Sequence, residues 1–393
     1  MLENIKGTEE MNYTETLARI EELSDEYVKF LMELCDIESP TDYKEGVDAA
    51  GRYVADKARI RGWEVEVHHE DVSGDAVCIT MNPDAEGKPI CFSAHLDTVH
   101  PVGLFGYPPS RIEENRLHAP GAVDCKGGVA AAFLAMAALD DLGFKDRPIK
   151  LILQSDEENS SITSQKRTVD FMEKCAEGCV GFFNCEGLVR HKAVCIERKG
   201  IIRYVFDIKG AACHSSRCFE GKNAILEAAH KIIELERWKE DWGITCNCGV
   251  IEGGTVANTV AESCSFTADI RFMTEEELSF VKRRVEEIAS TSYIGGTETT
   301  LTVKSFRVNM EVCERNVLLL DAVNSALKSC GIEELTALKA RGGSDAADMT
   351  YRGVPVIDNM GVDGGYIHSD KEYAFIESIG ECAKRLAAIA LYL

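Results

Sequence analysis

Four short apolar runs limit what this chain can become: PICFSA from residue 89, PIKLILQS from 148, CVGFFNC from 179 and GVPVIDN from 353. Each has the length of a strand and is nearly unbroken in its hydrophobicity, which marks strands buried on both faces. Helical patterns separate them. ETLARIEELSDEYVKFLMELC and KEGVDAAGRYVADKARIRGW are amphipathic, the second ending near Gly62. KGGVAAAFLAMAALDDLG is rich in alanine, with Gly143 as its stop, and EYAFIESIGECAKRLAAIALYL closes the chain. Doubly buried strands alternating with helices predict an α/β fold, a mostly parallel sheet flanked by helices.

The texture changes near residue 200. GIIRYVFDIKG alternates as a strand, NAILEAAHKIIELERWKED is helical, and ITCNCGVIEGG and SCSFTADIRFM are two further strands. EEELSFVKRRVEEIAS is a helix and TTLTVKSFRV a last strand. The order β-α-β-β-α-β is that of a ferredoxin-like α+β unit. A chain of 393 residues is long for one core. We therefore expect a discontinuous α/β domain at 1–198 and 309–393, with an inserted domain at 199–308.

A net charge of −23 argues against nucleic acid or an anionic membrane as partner. No apolar run approaches the roughly 20 residues of a membrane span, and the acidic start, MLENIKGTEEMNYTET, reads as a solvated tail rather than a signal peptide. Sixteen cysteines without a CxxC pair read as reduced thiols of a cytoplasmic protein, and CNC at Cys246 and Cys248 is poor metal spacing.

The buried strands share a second property: their C-terminal ends run into acids or histidine. CFSA leads to His95 and Asp97, LILQS to Asp156, Glu157 and Glu158, FFNC to Glu186, and PVIDN precedes His368. Asp124 stands at the start of the alanine-rich helix. Ligands of open α/β sheets gather beyond the carboxyl ends of the strands. Several carboxylates buried together are costly unless a cation neutralises them. Two histidines with carboxylates and no thiolates suit zinc or a similar divalent ion, and a two-metal site accounts for the set. His68, His69, His100, His118, His191 and His230 receive no role.

SAHLDTV, GAVDCKGG, SDEENSS, CEG, CHSS, GGTVANTV, ADIR, GGSDAAD and YIHSDKEY, in this order, resemble the di-zinc exopeptidase and amidohydrolase family. Its members include acetylornithine deacetylase, succinyl-diaminopimelate desuccinylase, carboxypeptidase G and peptidase T. The resemblance runs from about residue 30 to the end. It implies a zinc-exopeptidase-like catalytic domain, and makes the insert a dimerisation and lid domain of a homodimer. It implies two divalent ions per chain, zinc first, with cobalt or manganese as alternatives. His95 and Glu186 would bind one ion, Glu158 and His368 the other, and Asp124 both. Asp97 would orient the His95 ring, and Glu157 would be the general base acting on a metal-bridging water, an extended chain turning its side chain away from that of the ligand Glu158 and toward the substrate.

His214 resembles a family histidine that reaches across the dimer to the oxyanion. Asn258 and Arg271 resemble residues that hold a substrate carboxylate, where Arg341 and the backbone at Gly342 and Gly343 could assist. Ser93 and Ala94 stand where the family has glycine, Ala261 where it has proline, and Cys125 follows the bridging acid. The function implied is hydrolysis of amide bonds in small peptides, of the di- or tripeptidase or carboxypeptidase type. Deacylation of N-acyl amino acids is the alternative. A catalytically silent metal-binding homologue is the other class, against which the presence of Glu157 argues.

Overall fold

The structure, a computed structural model, describes residues 13–187 and 192–393. Residues 1–12, most of the expected tail, and His191 lie outside the described residues. The chain separates into two compact units. One comprises Met1–Ile196, Val312–Lys339 and Ser344–Leu393, the other Glu197–Glu311 and Ala340–Gly343.

The first unit opens with helices α1 (Tyr13–Asp36) and α2 (Lys44–Ile60), then strands β1 (Glu64–His68), β2 (Ala76–Met81) and β3 (Ile90–His95). In α1, Ile20, Leu23, Tyr27, Leu31 and Leu34 recur at helical spacing and are buried. There follow β4 (Arg111–Glu113), β5 (Arg116–His118), α3 (Lys126–Asp141), β6 (Ile149–Gln154), α4 (Arg167–Ala176), β7 (Gly181–Asn184) and β8 (Ala193–Arg198).

The second unit contains β9 (Gly200–Lys209), α5 (Ala224–Leu235), β10 (Thr245–Gly253), β11 (Ser263–Phe272), α6 (Glu275–Ser290) and β12 (Glu298–Arg307). Its antiparallel sheet has the order β10-β11-β9-β12, the arrangement of a split βαβ fold. Alternate residues of β11, from Cys264 to Phe272, enter its core, as strand periodicity requires. Helix α6 begins where Thr274 Oγ1 accepts the Glu277 N–H at 3.1 Å.

The chain then returns to the first unit through α7 (Glu314–Ser329), β13 (Thr336–Ala340), α8 (Asp345–Tyr351), β14 (Val356–Ile357), β15 (Gly364–Gly365), β16 (Tyr373–Phe375) and α9 (Ile376–Tyr392). The main sheet runs β1-β2-β6-β3-β7-β14. Its four strands from the apolar runs, β6, β3, β7 and β14, are mutually parallel. The hairpin β1–β2, which the apolar runs do not announce, adds an antiparallel edge. Short strands β15, β16, β5 and β4 make a small antiparallel sheet.

Helix α3 is buried at every residue from Lys126 to Leu139 and packs against β3, β6, α1 and α9. Its alanines permit that all-round burial, and Gly143 (φ 80°) ends it, with Phe144 N–H bonding Leu139 O at 3.0 Å. Among the described residues no helix is long and apolar enough to cross a membrane.

Candidate metal centre

Register brings the strand ends together. In the parallel ladder His95 of β3 lies opposite Gln154 of β6, and Ser93 opposite Asn184 of β7. Residues 155–158 and 185–186 therefore leave the sheet at one level, beside His95. The His95 ring is 2% exposed. Its Nδ1–H donates to the Asp97 carbonyl at 2.9 Å, which leaves Nε2 directed at Asp124 Oδ1 (2.9 Å) and Glu186 Oε1 (3.6 Å).

The ring is thus held by the Asp97 main chain, with the Asp97 carboxylate 3.5 Å away. That carboxylate, fully buried, does something the sequence did not suggest. Its Oδ1 accepts the Glu157 N–H and its Oδ2 the Glu158 N–H, both at 3.1 Å, while Thr41 Oγ1 donates to Oδ2 at 2.8 Å. Glu157 and Glu158 lie in a turn, not in the extended chain that alternation of their side chains would require. Asp156, the third acid of the run, faces away. It accepts from Ser164 N (2.8 Å) and Thr168 Oγ1 (2.8 Å) and so closes the loop into α4.

Asp124 precedes α3 through a cis peptide to Cys125. Its two oxygens face different histidines: Oδ1 is 2.9 Å from His95 Nε2, and Oδ2 is 3.2 Å from His368 Nε2. His368 Nε2 is also 3.3 Å from Glu158 Oε2. The structure thus gathers His95, Asp124, Glu158, Glu186 and His368, with Glu157 in the adjoining turn and 8% exposed.

The titration behaviour reports an excess of negative charge. Burial and then the Asp124 carboxylate push Glu158 up to about 8 and Glu186 well above the carboxylate range. Glu157 adds to both effects. Burial would raise Asp124 too, but hydrogen bonds from His368 and His95 hold it far below its ordinary value. Its own bond to Asp124, with the one to Glu158, lifts His368 to about 10. Burial disfavours a charged His95, yet Glu186 and the contacts with Asp124 and Asp97 together raise it.

Protons held on ligand-type groups mark a field that divalent cations balance, and the donor set of imidazoles and carboxylates fits zinc-like ions. Cys125 lies within ligand reach of His95 and Glu186, but burial keeps it a thiol, and its Sγ donates to Cys185 O at 3.2 Å.

The remaining predicted residues belong to the second unit. His214 is exposed, with Nδ1 2.8 Å from Ser216 Oγ, and the Ser215 N–H bonds Asn258 O at 2.9 Å, so His214 and Asn258 share one corner. Arg271 is engaged by Asp269 (3.2 Å) and donates to Arg341 O at 2.8 Å. Arg341 pairs with Asp241 at 2.7 Å and stacks on Trp242, 4.2 Å from the ring centroid. Gly343 lies where a Cβ would meet Arg307 Cδ at 2.7 Å. Cys246 and Cys248 approach Glu236 within 4.8 Å, but that carboxylate accepts from Cys248 N and from Lys239 Nζ, whose ammonium already supplies the positive charge.

Two residues without a role in the sequence reading enter here. Glu372, fully buried, accepts the N–H groups of Val123 (3.0 Å) and Asp124 (3.1 Å) on Oε1, and His100 Nε2 lies 2.6 Å from its Oε2. The only available signal was that YIHSDKEY carries an acid four residues after His368.

The family model described as Peptidase family M20/M25/M40 matches residues 91–392. Carboxypeptidase G2 of Pseudomonas sp. (strain RS-16) is 27% identical over 362 residues, covering 90% of this chain and 85% of that protein. Succinyl-diaminopimelate desuccinylase of Sulfurovum sp. (strain NBC37-1) is 25% identical, covering 90% and 95%. The crystal structure of aminopeptidase PepT from Bacillus cereus ATCC 10987 shares the fold, with a TM-score of 0.76 at 20% identity over 94% of this chain and 98% of that one.

Proposed function

The chain belongs to peptidase family M20/M25/M40, and from that premise we propose that it cleaves amide bonds of small peptides at the centre built on Asp124. As a member it is a metal-dependent amide hydrolase; the substrate, the metal and the residue roles are our reading. One observation carries it: the two Asp124 oxygens face different histidines, at 2.9 and 3.2 Å, with Glu186 on one side and Glu158 on the other. His95, Glu186 and Asp124 would hold one ion, and His368, Glu158 and Asp124 a second. We assign both as zinc, cobalt or manganese being the alternatives. When bound, the ions polarise the scissile carbonyl and acidify water.

The protein's own groups do the rest. Glu157 takes the proton of the attacking water on its carboxylate and returns it to the leaving nitrogen. Asp97 holds that base in place through the Glu157 N–H, and its carbonyl fixes the His95 tautomer. His214 and Asn258 would serve the oxyanion and substrate, with Arg271, Arg341 and the Gly343 backbone as a carboxylate site. In the second unit Leu226, Ile233, Val250 and Ile251 are exposed on α5 and edge strand β10. They support a homodimer through that unit.

The test is turnover by zinc-, cobalt- or manganese-loaded protein on di- and tripeptides beside N-acetyl, N-succinyl and N-carbamoyl amino acids. Peptide cleavage that stops on chelation supports the proposal. Exclusive cleavage of the N-acyl substrates would replace it with deacylation.

A further inference from the structure

Most candidate ligands sit on firm elements. His95 ends a buried strand, Asp124 starts a buried helix, and Glu186 follows β7. His368 does not. Its side chain is 54% exposed, its φ is 64°, and it lies in the loop between β15 and β16. A ligand on such a loop holds its place only if the loop is anchored nearby.

Glu372 is that anchor. It is four residues beyond His368, and its N–H closes a turn onto Ser369 O at 3.2 Å. Its carboxylate, 0% exposed, reaches back to the main-chain N–H groups of Val123 and Asp124. Its other oxygen takes the hydrogen bond of His100, 4% exposed and packed edge-on against Phe105 at 5.1 Å between centroids. Three chain segments thus meet on one side chain: the loop after β3, the turn before α3 and the His368 loop. A buried carboxylate costs several kcal/mol unless its acceptors are used; here three donors satisfy it. Taking on that charge beside other acids is a poor choice for packing alone, since an apolar residue would fill the space.

We propose that Glu372, held by His100, is a positioning residue that keeps Asp124 and His368 at a common distance and thereby sets the affinity of the ion on the His368–Glu158 side. The inference rests on the two-ion reading above. Loss of Glu372 loosens Asp124 for both ions, but loosens a second ligand only for the ion that His368 binds. The signature is therefore a split between the two affinities, which general destabilisation does not produce.

The experiment is zinc titration of chelator-treated full-length protein by competition with a chromophoric chelator, with the thermal midpoint of the metal-free protein alongside. Glu372→Gln keeps shape and one carbonyl acceptor while removing the charge. It should weaken one ion, the one whose binding His368→Ala abolishes, about 10–100-fold, the range for partners of metal ligands, and shift the other much less. His100→Leu should give the same split, and His100→Gln, whose amide can still donate to Glu372, should restore wild-type binding. That pair tests the inference even where Glu372→Gln fails to fold. Equal weakening of both ions with a lowered metal-free midpoint, or unchanged binding of both, would overturn it and leave the two-ion reading standing. A wild-type protein that binds fewer than two ions would overturn both.

Discussion

Gly128 offers a test of how tightly the candidate centre is built. It lies one helical turn after Asp124, where α3 passes the end of β7. A Cβ there would stand 2.1 Å from Cys185 O and 2.8 Å from Cys185 Cβ. Ordinary contact begins near 3.4 Å, so Gly128→Ala must part the two backbones by roughly 1.3 Å, an overpacking that costs about 1–3 kcal/mol.

Cys185 cannot take up the shift cheaply. Its N–H is bonded to Ser93 O at 2.6 Å and its carbonyl accepts from Cys125 Sγ at 3.2 Å. The displacement falls on the start of α3 and moves Asp124 away from Glu186. A misplacement of about 1 Å near a reacting centre costs on the order of 10²-fold in rate. Zinc affinity, kcat/KM at saturating metal and the thermal midpoint should all fall, with kcat/KM losing more than stability explains. A Gly128→Ala protein with wild-type zinc affinity and turnover would refute the claim that this close approach fixes the spacing of the ligands.

Glu157→Ala should bind metal as the wild type does and lose about 10²–10⁴-fold in kcat; unaltered turnover would remove Glu157 as the base. The metal-free protein should have a stability that falls with rising pH. Glu158 goes from an ordinary 4.5 to about 8 on folding, so the folded state holds the extra proton and loses that advantage as pH rises from 4.5 through 8. His368, raised from 6.5 to about 10, acts in the same direction, its contribution complete below 6.5 and lost as pH passes 10. Thermal midpoints of chelator-treated protein should therefore be lower at pH 8 than at pH 6. Zinc should raise the midpoint more at pH 8, because its ligands bind deprotonated. A rising midpoint without metal would contradict the charge balance described for the centre.

Much of this protein is legible in its residues. The four apolar runs are the four parallel strands, because burial on both faces leaves few polar positions in them. The elements of the second unit fall close to their expected limits, EEELSFVKRRVEEIAS being α6 from first residue to last. Its periodicity and its Thr274 cap are local signals. The hairpin β1–β2 is harder to see, since Glu64–His68 is a half-exposed edge of five residues with no apolar run.

Around the centre the division is sharper. That acids and histidines follow the buried strands is a property of the sequence, and the parallel register carries them to one edge. The partners of those groups are not. Asp97 appears beside His95 as its orienting carboxylate, yet its oxygens reach Glu157 and Glu158, sixty residues on, and the turn there replaces the expected alternation. His100 and Glu372 stand 272 positions apart, and nothing local in either neighbourhood foretells the pair. Hydrophobic patterning is read along a helix or strand, where neighbours in sequence share a face. A hydrogen bond between segments depends on where the whole sheet and its loops bring two atoms, and only the tertiary structure decides that.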